Sequence, residues 1–157
     1  MKYYICLEED RIWYVRGRFK RCPGCGSHRR LEIVDWEFVE PVPDVASALT
    51  RLAKKHGMEG KRVNLIVGRD VKMKSCTIPK AGKNAMKRMA VNEMSLLDAG
   101  FGNHAVALDL RAKTGRTMAA VTAYYMEQRS LDAYKKALED GKMICGRVLV
   151  LPDCMAL

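Results

Sequence analysis

Three groups of side chains in this sequence have types and spacings that could do chemistry. The first is Cys22-Pro23-Gly24-Cys25 with His28. A Cys-x-x-Cys knuckle is half of a zinc site, and His28 could add a third ligand, leaving the fourth to Cys6 or a second chain. A redox pair would open a helix, whereas Gly26, Ser27 and a strand-like run follow here. An exposed turn explains the run more simply than zinc does, and zinc more simply than redox.

The second group is acidic. Glu8, Glu9 and Asp10 sit together between two apolar runs, and a solvated hairpin tip accounts for them better than a metal site. They would form a ribonuclease-H-like carboxylate set only with acids on a later strand, where Asp35 and Glu37 are the candidates. Asp35 lies beside a break in the apolar alternation, which leaves open which way these two face. The third group is the histidines at 28, 56 and 104, none with a Ser or Cys at a recognisable catalytic spacing. The C-terminal turn of a helix explains His56, and His104 opens a strand. No catalytic residue is assigned, and the chain reads as a non-enzyme.

Charge narrows the partners. The 157 residues carry 28 Lys+Arg against 18 Asp+Glu, a formal net charge of +10. Residues 11–30 hold seven of the bases and no acid, and 69–88 is basic with Asp70 its only acid. Such fields attract phosphates of nucleic acid or anionic lipid, although a solvated surface explains them equally well. No run approaches the roughly 20 apolar residues of a membrane span, and none resembles a secretory leader. Six Cys without a leader point to reduced cytosolic thiols.

The elements follow from apolar periodicity. Strands are predicted over Tyr3–Leu7, Arg11–Phe19 and Leu31–Val39, with an acidic turn at 8–10 and a loop over 21–30. In the third, the apolar phase runs Leu31, Ile33 and then slips to Val34, Trp36, Phe38, which implies a bulge near Ile33. Trp13 and Phe19 share a face with Val15 and are expected to serve the core. Asp44 caps a helix bearing Val45, Ala48, Leu49 and Leu52, with Lys54, Lys55 and His56 in its last turn and Gly57 ending it. Val63–Val67 reads as a strand buried on both faces, laid parallel to an earlier strand by a right-handed crossover.

Gly68-Arg69-Asp70 then breaks the run, and Val71–Ile78 begins a strand with different chemistry. Val71, Met73, Ser75 and Thr77 point one way, Lys72, Lys74, Cys76 and Ile78 the other. A buried strand leading into a half-basic one marks the passage from one sheet to another. Beyond it come a helix over Asn84–Leu97, strands His104–Arg111 and Thr117–Met126 around the turn Lys113-Thr114-Gly115, a helix capped by Ser130 and ended by Gly141, and a strand Arg147–Leu151. The predicted fold is α/β (α+β). A βββαβαβ subdomain of actin-like or ribonuclease-H-like layout (1–69 and 128–157) receives a smaller βαββ insert (70–127).

Several stretches, in order, resemble the PilM family of cytoplasmic actin-like proteins of type IV pilus assembly. These are Pro43–Val67, with Gly60-Lys61-Arg62-Val63 particularly similar; Asp70–Pro79, a strand ending in Ile-Pro; Val106–Leu110; Thr117–Gly141, with Ala119-Ala120-Val121 and Asp132-Ala133-Tyr134; and Gly146–Leu157. The family's Gly/Ser-rich phosphate turn is replaced by Leu7-Glu8-Glu9-Asp10-Arg11. Phosphate cradles use Gly so that N–H groups can approach the oxygens. The chain also stops where the family's second half, with its adenosine pocket, begins.

The resemblance implies a non-catalytic scaffold, cytoplasmic and peripheral to the inner face of the cell membrane, with no ATP or other cofactor expected in this chain. It would hold the N-terminal tail of a bitopic PilN-like protein in a groove between subdomains, through backbone pairing and side-chain pockets. Arg69, Val71, Met73, Met86 and Met89 are the nominated lining residues, although ordinary core packing explains any single Met of the stripe better. The related type II secretion platform fits equally. The other readings are a nucleic-acid-binding module built on the basic, aromatic 11–30 stretch and a minimal actin-fold ATP-binding protein.

Overall fold

Asp44 shows how local chemistry sets the elements. Its carboxylate accepts hydrogen bonds from the amides of Ala46 at 2.9 Å and Ser47 at 3.3 Å, so helix α1 (Val45–Lys55) starts where predicted. Those bonds, with one from the Ser47 hydroxyl, hold the Asp44 carboxyl below its usual range, the hydroxyl contributing most. Ala48, Leu49, Leu52 and Ala53 form the buried face, and Gly57 follows the helix at φ +59°. The computed structural model describes residues 1–21, 29–40, 44–97, 103–110, 113–114 and 116–151, with backbone alone at 21, 29–31, 97 and 113–114.

The chain divides into two compact units, Met1–Arg69 with Asp132–Leu157, and Asp70–Leu131. The boundaries read from the sequence were 69/70 and 127/128. In the first unit, β1 (Lys2–Leu7), β2 (Ile12–Arg21) and β3 (Arg29–Val39) form an antiparallel meander. Strand β4 (Arg62–Val67) pairs parallel to β1, and β9 (Ile144–Val150) pairs parallel to β4. The sheet order β3-β2-β1-β4-β9, with α1 in the β3–β4 crossover and α3 (Gln128–Asp140) leading into β9, is the predicted actin-like layout.

Burial in this sheet is one-sided. Ile5, Leu7, Ile12, Tyr14, Val63, Leu65 and Val67 share a face and are all buried. Each aliphatic among them contributes about 1.5–3 kcal/mol. Asn64 and Ile66 on the other face are only half-buried, so β4 is not the doubly buried strand that its apolar run predicts. The pairing steps from Arg16↔Asp35 to Gly17↔Ile33 and leaves Val34 without a partner, which is the bulge expected near Ile33.

Glycines act here through space as well as torsion. At the exit from β4 the left-handed residue is Asp70 (φ 58°), not Gly68. At Gly68 a Cβ would meet Leu151 Cδ2 at 2.8 Å, so a larger residue would displace the Leu151 side chain. After α3 the left-handed residue is Lys142 (φ 57°), while Gly141 is confined by Met143 Cε at 3.0 Å. Between Val63 and Leu65 the β9 ladder irons out an extra residue. Asn64 Oδ1 accepts from the Arg147 amide at 3.2 Å, and a Cβ on Gly146 would lie 2.9 Å from that oxygen.

The second unit has the sheet order β5-β8-β6, from β5 (Lys72–Pro79), β8 (Met118–Glu127) and β6 (His104–Asp109), with the short β7 (Lys113–Thr114) also on β8. Helix α2 (Lys83–Leu97) packs Ala90 against Ile78 and Val121, and Met94 against Ala123 and Tyr125. Three expectations change here. Lys113 and Thr114 pair as strand instead of turning, Ser130 lies inside α3 because that helix follows β8 directly, and β9 begins three residues before Arg147. Among the described residues no helix is long and apolar enough to cross a membrane.

Two substitutions test this account by thermal unfolding. Asp44→Ala should lower Tm by roughly 2–4 °C. Gly146→Ala should cost more, because both atoms its Cβ approaches most closely, Asn64 Oδ1 and the Val63 carbonyl, are already placed by the β4–β9 ladder.

Candidate functional site

The residues nominated for a partner peptide divide by environment. Met73, on β5, is 66% exposed and shares its strand face with Ser75 and Thr77, as the predicted alternation has it. Ser75 Oγ lies 3.1 Å from Thr122 Oγ1 on that same face. Val71 is half-buried just before the strand. Met86 and Met89 are partly buried against the Ile78, Ala90 and Val121 cluster on the opposite face of β5. Arg69 belongs to the first unit, where its amide donates to the Leu7 carbonyl at 3.0 Å. Thus Met73 stands outward, whereas Met86 and Met89 contribute to the helix–sheet contact. Strand β5 is also an edge of its sheet.

Cys22, Cys25 and His28 lie outside the described residues. Among the described residues, no three His, Cys, Asp or Glu side chains gather as a metal would require. Cys76 and Cys145 are free thiols, and burial pushes both up from the ordinary thiol range.

The acidic candidates separate. At the β1–β2 turn the Glu8 amide donates to the Arg11 carbonyl at 2.9 Å, and Asp10 pairs with Arg11 at 3.5 Å. Asp35 and Glu37 instead face His56, at the C-cap of α1. His56 Nδ1 lies 3.3 Å from Asp35 Oδ2 and Nε2 lies 2.6 Å from Glu37 Oε2. The imidazole stacks on Tyr14 with centroids 3.9 Å apart, and Lys55 reaches Glu37 at 2.5 Å. Lys55 first, then His56, hold the Glu37 carboxyl below its usual range. Burial and the neighbouring Asp35 charge push the Tyr14 phenol up to about 12. The helix position noticed in the sequence explains only part of His56, which also locks α1 to β2 and β3. The signal was the spacing of Asp35 and Glu37 on one strand face.

The outer face of β2 and β3 is the largest departure from expectation. Trp13 lies 6.0 Å from Trp36 and 5.2 Å from Phe38, between ring centroids. Phe19, Trp36 and Phe38 are 49%, 58% and 42% exposed, so this face is not the core face predicted for Trp13 and Phe19. The bases of the opposite face are committed. Arg16 pairs with Asp35 at 3.6 Å, and Arg18 and Lys20 grip Glu32 at 2.5 and 2.7 Å. Those two partners lower the Glu32 carboxyl to about 2, Lys20 contributing more.

Comparison with known proteins supplies the remaining evidence. No family model matches the chain, and no curated protein does. Solved structures match over nearly its whole length. A chain of the PilM–PilN type IV pilus biogenesis complex superposes with a TM-score of 0.74 at 10% identity, covering 96% of this chain and 47% of that one. The cytoplasmic domain of EpsL, an inner membrane component of the type II secretion system of Vibrio cholerae, gives 0.58 at 16% identity, covering 94% and 56%.

The chain shares its fold with these proteins. It spans about half the length of the solved structures it matches. The resemblance noted in scattered sequence segments is therefore a likeness of fold across both units' elements.

Acid unfolding tests the His56 cluster. Because the folded Glu37 carboxyl is depressed, its contribution is complete above its ordinary value of 4.5 and is lost as pH falls through the lower folded value. Glu37→Gln should flatten the acid limb of the stability profile. His56→Ala, which leaves Asp35 and Glu37 facing one another and removes the ring from Tyr14, should cost about 1–3 kcal/mol by denaturant titration.

Proposed function

We propose that this chain is a non-catalytic scaffold of a type IV pilus, or related type II secretion, assembly platform, acting at the cytoplasmic face of the inner membrane. Its partner is the N-terminal tail of a PilN-like bitopic protein. The observation that carries the reading is the 0.74 TM-score over 96% of the chain to a component of the PilM–PilN complex. An extended tail would add to the open edge of β5, where backbone groups provide affinity and alternate side chains enter neighbouring pockets. Met73 and Val71 would supply apolar contact. Met86 and Met89 would act indirectly, by holding β5 against α2.

The non-catalytic part of the reading is supported by the β1–β2 turn. Leu7-Glu8-Glu9-Asp10-Arg11 brings three carboxylates to the position where the family places a glycine-lined phosphate turn, and carboxylates repel an anion. A nucleotide would instead raise Tm in proportion to the logarithm of its concentration.

The test is a calorimetric titration with a synthetic peptide of the first ~20 residues of a PilN-like protein. Saturable binding is expected, weakened several-fold by Met73→Ala and absent for a scrambled peptide. Binding that ignores Met73→Ala would remove the β5 edge from the account, and no binding at all would remove the scaffold reading.

A further inference from the structure

We propose that the open face of β1, β2 and β3 is a platform for single-stranded nucleic acid, a role separate from the peptide-scaffold reading and resting on a different surface. The register places Cys6, Trp13 and Phe38 across the sheet on this face, with Tyr4, Val15 and Trp36 beside them. Phe19 and Ile33 extend the row, and Ile33 is 57% exposed. The bulge at Val34 keeps Ile33 on the same face as Trp36 despite the slip in sequence phase. Cys6 and Gly17 apart, the described side chains of this face on these strands are half-buried or exposed, whereas the other face buries Ile5, Leu7, Ile12 and Tyr14.

An apolar sheet face alone does not name its occupant, but the charges around this one do. Arg11, although paired with Asp10 at 3.5 Å in the acidic β1–β2 turn, stands over the Phe38 ring, 5.8 Å from its centroid, so the phosphate contacts fall to the cations at the other end of the face. Lys2 opens β1 and Arg62 opens β4 on the same face by alternation, and both are exposed. Among the described residues neither is held in an ion pair, in contrast to Arg16, Arg18 and Lys20 on the opposite face. Aromatic rings on an open sheet, bordered by cations in a chain of net charge +10, are the elements with which sheets stack unpaired bases and hold the phosphates between them.

Other occupants fit less well. Edge-to-edge pairing with a second copy through β3 is opposed by the bulge, which interrupts the ladder that such pairing would extend. A bilayer takes up protruding helices and tips, and these rings lie across a sheet. A duplex hides its base faces and offers the rings nothing to stack on.

Both tryptophans of the protein, Trp13 and Trp36, belong to this cluster, so intrinsic fluorescence reports on it directly. The full chain is titrated with a single-stranded oligouridylate or oligothymidylate of about 12 nucleotides. The expected result is saturable quenching whose affinity falls as salt rises, with a duplex of equal length much weaker. Anisotropy of a labelled oligonucleotide then compares variants. Trp36→Ala with Phe38→Ala should bind about tenfold or more weakly. Lys2→Glu with Arg62→Glu, which leaves every ring in place, should lose affinity and reduce the salt slope. Three results overturn the proposal: no saturable quenching, a blue shift with anionic vesicles but no response to oligonucleotide, or quenching that tracks self-association in sedimentation.

Discussion

The structure of the first unit depends on the parallel pairing of β1 with β4. Tyr3↔Val63 through Leu7↔Val67 brings together residues from the two ends of a long crossover, and it is made on one sealed face by Ile5, Leu7, Leu65 and Val67. Closing a loop of that length costs chain entropy before any contact forms. The apolar burial at those four positions offsets it. Once the pair is set, β2 and β9 have only one free side each on which to add, and α1 is fixed as the crossover between β3 and β4.

The same pairing determines where the chain leaves the first unit. The Leu7 carbonyl accepts from the Gly68 amide at 2.8 Å and the Arg69 amide at 3.0 Å, so the end of β1 terminates β4. Asp70 then takes the left-handed conformation that turns the backbone toward β5, which belongs to a different sheet. One-sided burial has a second consequence. A sheet that seals one face with aliphatics and Tyr14 must present its alternate residues on the other, and in this chain those are Trp13, Trp36, Phe38 and the cations around them. The second unit thus offers a strand edge and the first an aromatic face, through separate physical causes.

Much of this was legible from residue order. The Asp44 cap, the bulge beside Ile33, the change of sheet after Val67 and the parallel placement of β4 follow from local rules that tertiary context left intact. The aromatic face was not legible, because period-2 alternation identifies two faces without saying which is buried. Trp13 looks like core by type, and only the partners of Ile12 and Tyr14 reverse that assignment. Glycine torsions misled at Gly68 and Gly141, which lie against the Leu151 and Met143 side chains while the neighbouring Asp70 and Lys142 take the unusual angles. Met86 and Met89 followed helical spacing into the α2 contact, while Met73, at strand spacing, remained outward. His56 was assigned by its helix position alone, since its bond to Glu37 spans 19 residues of sequence.

Native-state hydrogen exchange tests the central claim about β1 and β4 most directly. The amides of Ile5 to Leu7 and Leu65 to Val67 are predicted to exchange only through global unfolding, more slowly than those of β5 in the second sheet. Exchange of the β1 and β4 amides as fast as those of β5, or independent opening of β4, would contradict the account.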